Sequence, residues 1–181
     1  MTGEPPGRHP DLAAVGDALR EEWRAETEAE TREAFEAWHH RRALTDALRE
    51  HMQRGDRLAV TVAGFRIAGI PEEIGPDLLA LRTFAGRVDI HRAGSVPLWF
   101  ELFEKASDPG HRGTDLAGGS FRRALELRER DDVASVGTLF DPDGIDGKLV
   151  VGADFVTIVA RMGAQVTIPI EFVAWVSPRR T

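Results

Sequence analysis

Residues Ile74-Gly75-Pro76-Asp77-Leu78-Leu79-Ala80-Leu81 return later in the chain as Val151-Gly152-Ala153-Asp154-Phe155-Val156-Thr157-Ile158. Both stretches read apolar-Gly-x-Asp-apolar-apolar-x-apolar, and a second glycine follows each first one eleven positions on, at Gly86 and Gly163. Alternating segments come next, Val88-Asp89-Ile90 and Val166-Thr167-Ile168. A pattern repeated at this spacing marks an internal duplication. Locally it predicts two strands joined by a tight connection, with glycine supplying positive φ and the aspartate bonding nearby backbone amides. Glycines at 69, 86, 147 and 163 would let short strands bend strongly.

Outward from this signature, period-two alternation resumes on both sides. Strands are expected near 57–63, 65–70, 77–83, 86–91 and 95–102, then near 132–140, 147–152, 154–160, 164–169 and 172–176. Between the two sets, residues 105–119 carry Pro109 and glycines 110, 113, 118 and 119, the composition of a linker. Ser120 can then cap a helix running to about Arg130. Upstream, residues 1–10 read as a disordered tail. Residues 11–54 read as a helical arm, because neither glycine nor proline interrupts Asp17 to Arg54. Either one long helix or a hairpin bent within Arg24 to Glu33 satisfies that arm. The expected fold class is therefore mainly β with an N-terminal helical arm (α+β), with two pseudo-repeated small bent-strand barrels. Each barrel would be preceded by a helix, the first spanning 55–104 and the second 120–177.

At this point the chain resembles the Sm-like small β-barrel family, and in particular a bacterial two-repeat group of uncharacterised function that couples an acidic helix to such barrels. The resemblance covers about residues 44–102 and 120–177. It implies edge-strand pairing, between the halves or between subunits, and RNA contact through strand-connecting loops. Sm proteins generally carry Asn or Gln near the third strand for base contact. Here Leu78, Leu79, Phe155 and Val156 stand in that neighbourhood, so the family's RNA-reading residues do not carry over.

Composition narrows the function classes. The 181 residues carry a formal charge of −7, which argues against coating nucleic acid by bulk electrostatics. No apolar run approaches the ~20 residues of a bilayer span, and Met1-Thr2-Gly3-Glu4 does not resemble a signal peptide, so a cytoplasmic location is expected. The chain has no cysteine, which removes disulfides and thiolate chemistry.

Catalytic and metal motifs are weak. The acidic run Asp141 to Gly147 has the wrong spacing for a calcium loop and reads as a turn. Gly147-Lys148 lacks the earlier glycine of a phosphate loop. His39, His40, His91 and His111 show no ligand spacing, and no nucleophile elbow or zinc-protease helix occurs. Neither a cofactor nor a metal site is expected, and an enzyme is the least favoured reading. Trp99 and Trp175 lie in the closing strand of their halves, where core packing is expected.

The expected function is a non-catalytic interaction or regulatory module that binds a protein partner or itself. Trp23, Phe35 and Trp38 on the acidic arm are candidate anchors for such a partner. The alternative is an RNA-binding module using Arg66, Arg82, Arg87, Arg92 and Arg161, which would require those arginines to converge on one face.

Overall fold

The computed structural model describes residues 10–40, 43–92, 96–107 and 119–179, with the side chains of 10–16 and 34–40 left aside. The chain divides into two compact units, Met1–Ala43 and Leu44–Thr181.

The first unit contains helix α1, Pro10–His40, which is continuous through residues 24–33. The hairpin bent in that segment is therefore not formed. Helix α1 starts at Pro10, a residue suited to a first helical position because its missing N–H has no intrahelical partner to lose. The tail expected over residues 1–10 otherwise lies outside the described residues.

The second unit opens with α2, Leu44–Arg54, whose Leu48 and Met52 are buried. Gly55 ends it at φ 74°, where its N–H reaches the Met52 carbonyl at 3.1 Å and the Asp56 N–H reaches His51 at 3.0 Å. That pair of hydrogen bonds is the Schellman stop, and it releases the chain into the sheet. Five strands follow: β1 Arg57–Val62, β2 Phe65–Ile74, β3 Leu78–Thr83, β4 Gly86–His91 and β5 Leu98–Glu104. Helix α3, Phe121–Arg128, is capped by Ser120, whose hydroxyl accepts from the Arg123 N–H. It leads to β6 Ala134–Thr138, β7 Ile145–Val151, β8 Phe155–Val159, β9 Gln165–Pro169 and, after a 3-10 turn over Ile170–Phe172, β10 Val173–Pro178.

All ten strands join one antiparallel sheet in the order β5-β1-β2-β3-β4-β10-β6-β7-β8-β9. The expectation of two helix-preceded barrels is overturned here. A closed first barrel would need β4 to pair with β5, but β4 pairs with β10 through Trp175↔Ile90 and Val176↔Asp89. Strands β5 and β9 consequently stand at the two edges of an open sheet. Nor is the helix complement duplicated, since α1 and α2 precede the first five strands and α3 alone precedes the second five.

The local signature is nonetheless built alike at both places. The Gly75 N–H bonds the Leu78 carbonyl and the Gly152 N–H bonds the Phe155 carbonyl, each at 2.8 Å. The Asp77 carbonyl accepts from the Arg92 N–H, and the Asp154 carbonyl from Ile170. Positive φ falls on the second glycine of each copy, Gly86 at 113° and Gly163 at 81°, and not on Gly75 or Gly152. Gly75 is needed for another reason: a Cβ there would run into the backbone carbonyl oxygen of Gly119. At Gly152 the obstacle is the Phe155 ring, a side chain that can turn away.

Two apolar clusters fill the second unit, and each borrows from the other half. The first joins α2 and strands β1 to β4 with Ala174 and Trp175 of β10. The second joins α3 and strands β6 to β10 with Leu78 of β3. Gly75→Ala should therefore destabilise by about 1–3 kcal/mol through overpacking against fixed backbone, and Gly152→Ala by clearly less. Urea denaturation of both variants checks the ranking, and equal losses would contradict it.

Candidate functional site

The loop after β2 is a brace. The Asp77 carboxylate accepts from the Phe121 N–H at 3.0 Å, tying the first half to the start of α3. Arg92 donates to the Gly75 carbonyl at 2.9 Å and to the Thr45 hydroxyl at 2.7 Å. Burial, with Arg49 nearby, lowers the Arg92 pKa against the pull of Asp77, so this guanidinium is spent on holding α2 to the loop.

The other arginines assigned to RNA are engaged in different ways. Arg87 bonds Glu73 at 2.7 Å and Asp89 at 2.6 Å, and Asp89 in turn holds Arg128 of α3 at 3.2 Å. Arg82 pairs with Glu72 at 2.8 Å, and Arg66 of β2 pairs with Glu101 of β5, across the intervening β1. Arg161 is exposed in the β8–β9 turn. Arg87 and Arg92 are thus held at partly buried sites, whereas Arg66 and Arg82 form ion pairs at the surface.

The histidines take structural positions where they are described. His91 is buried, its Nδ1 lies 3.0 Å from the Val173 carbonyl, and its ring stacks on Phe121 with centroids 4.4 Å apart. Among the described residues no group of three or more His, Asp or Glu could hold a metal ion. The side chains of His39 and His40, and all of His111, lie outside the described residues.

The two tryptophans expected in cores part company. Trp175 is 1% exposed, stacked on Phe65 with centroids 5.3 Å apart. Trp99 occupies the matching place in the first half and is 56% exposed. The match follows from the registers. Gly69 and Gly147 each approach a carbonyl of the next strand, of Arg82 and Val159, and they pair with Leu58 and Ala134 respectively. Three residues beyond those lie Thr61 and Gly137, whose partners across the next ladder are Trp99 and Trp175. The difference is a strand: β10 has β4 beside it, and among the described residues no strand lies on the outer side of β5. Phe103 of β5 is also 54% exposed, with the Arg57 guanidinium 5.2 Å from its ring centroid.

On the arm, Trp23 is 75% exposed and Leu19 lies exposed one helical turn before it. The side chains of Phe35 and Trp38 fall outside the described residues. Among the described residues no helix is long and apolar enough to cross a membrane.

One end of the β1–β5 ladder, where β1 begins and β5 ends, is clamped by one carboxylate. Asp56, buried just before β1, accepts from the Ala106 N–H at 3.0 Å, lies 2.8 Å from His51 Nδ1 and takes the Arg54 Nε–H at 2.8 Å. Burial alone would raise this carboxyl, but the hydrogen bonds from His51, Ala106 and Arg54 outweigh it and lower the pKa from 3.8 to about 2. A depressed carboxylate stabilises fully above its unfolded pKa and ceases to do so as pH falls through its folded one. Asp56→Asn should therefore cost stability at neutral pH, with the deficit against the parent chain shrinking as pH falls from about 4 towards about 2. Denaturant titrations across that window measure it, and a deficit independent of pH would contradict the assignment.

No protein-family profile, no curated protein and no solved structure matches the chain.

Proposed function

We propose that this chain is a non-catalytic interaction module whose binding element is the open edge of its sheet at β5, which takes up a β-strand from a protein partner. The observation that carries this is the contrast between Trp175 and Trp99, one buried beneath a paired strand and the other exposed on a strand with no outer neighbour among the described residues. Natural edges are usually blunted by charge, bulges or cover, so large aromatics on an open edge mark a place for pairing. Strand addition gives affinity through main-chain hydrogen bonds and specificity through alternate side chains.

A non-catalytic role is supported by how the titratable groups are used. The His51–Asp56 pair clamps the β5 ladder, and His91 and Asp77 brace α3. The alternative of RNA contact through arginines has weaker support, because Arg87 and Arg92 are held at partly buried sites and Arg66 and Arg82 each face a carboxylate at the surface.

Recovery of the tagged full chain from its native cells, with and without nuclease, tests the reading. Protein should co-purify in both cases, and Trp99→Asp should reduce it by about tenfold or more, the loss expected when a central aromatic anchor is removed. Loss on nuclease treatment, or indifference to Trp99→Asp, would favour RNA or another surface.

A further inference from the structure

We infer that helix α1 is a dimerisation element, pairing in parallel with α1 of a second copy around Trp23. This surface belongs to the first unit of the chain, whereas the β5 edge belongs to the second.

The charge pattern of the arm sets the need for a partner. A helix that is polar nearly all round stays formed through many i, i+4 ion pairs or through contact with another body. In α1 it is like charges that recur at that spacing, at Glu22, Glu26 and Glu30 and again at Arg20 and Arg24. Such pairs destabilise an isolated helix. From Asp17 to Glu33, Arg20 bonds Asp17, and no other ion pair forms among the described residues.

The same residues make one face complementary to itself. Leu19, Trp23 and Thr27 follow one another at i, i+4, and Leu19 and Trp23 are 60% and 75% exposed. The Thr27 hydroxyl donates to the Trp23 carbonyl at 2.8 Å, so water can leave this row without orphaning a donor. At about 100° per residue, Glu22 and Glu26 fall on one side of the row and Arg20 and Arg24 on the other.

Two parallel copies related by a twofold axis then set the Glu side of each against the Arg side of the other, so both self-repelling rows gain opposite charge. Antiparallel copies would set Glu against Glu and Arg against Arg. A partner of one sign, basic or acidic, would repel one of the two sides. Rows spaced at i, i+4 pack at an interaxial angle of about −50°, which confines contact to the turns around Trp23 and lets the copies diverge before Glu30. A tryptophan at the centre of a contact is the kind of side chain that carries most of its binding energy.

Sedimentation of the full chain should show a species of about twice the 19.9 kDa monomer, and Trp23→Ala should weaken it by about tenfold or more. The double variant Glu22→Lys/Glu26→Lys should be monomeric alone, and so should Arg20→Glu/Arg24→Glu. Mixed in equal amounts they should form a dimer with one copy of each, which a folding defect in either would not produce. The chain has no cysteine, so single cysteines report direction. Oxidation should couple Leu19→Cys to itself and Thr27→Cys to itself, and in a mixture the product joining one variant to the other should be minor.

A monomer at all concentrations, failure of the charge-reversed variants to associate on mixing, or preferential coupling of Leu19→Cys to Thr27→Cys would overturn the inference. So would a dimer that survives Trp23→Ala and is lost with Trp99→Asp, because association would then lie at the β5 edge. Capture of another protein that depends on Trp99 and not on Trp23 tests the edge reading separately.

Discussion

Burial of the Trp175 indole at the β4–β10 junction is the contact on which the rest of the molecule depends. The ring stacks on Phe65 of β2 and lies against Gly137 of β6, where a Cβ would occupy the space of the indole itself. It belongs to the last strand of the second half yet sits in the apolar cluster of the first, while Leu78 makes the reverse exchange. Removing such a side chain typically costs about 3–5 kcal/mol, a large share of the stability of a domain this size. Polar groups reinforce the same seam. His91 of β4 meets the Val173 carbonyl and stacks on Phe121, and Asp89 links Arg87 of β4 to Arg128 of α3.

That seam explains why neither half closes on itself. Once β10 takes the outer side of β4, the nearest candidate for β5 is gone, and β5 remains an edge. The second half has the same problem displaced by one position, because its first-placed strand β10 is consumed and its last, β9, is left open. Strands β5 and β9 are therefore the counterparts of β10 and β4, the two strands that meet at the seam.

Much of this was legible in the residues and some was not, for identifiable reasons. Alternation placed the strands to within a few residues where a strand buries one face, as β2 and β7 do, and the Ser120 cap and the Gly86 and Gly163 turns are local chemistry. The role of Gly75 was misjudged because its constraint is the Gly119 backbone, brought near by tertiary packing. Asp77 bonds the amide of Phe121, 44 residues away, and no spacing rule reveals that. Trp99 and Trp175 stand in equivalent strands, and only the long-range pairing of β4 separates a core residue from a surface one. The arginines looked available because their carboxylate partners, such as Glu73 for Arg87 and Glu101 for Arg66, lie across strands and not beside them in the chain.

Native-state hydrogen exchange of the full chain tests the seam most directly. If Trp175 and its neighbours couple the halves, the slowest amides of β1–β4 and of β6–β8 should share one opening free energy and show parallel dependence on denaturant, as a single cooperative unit does. Trp175→Ala should lower protection in both sets together. Two separate classes, one for each half, with the Trp175→Ala loss confined to the second, would show that the halves fold independently and contradict the claim.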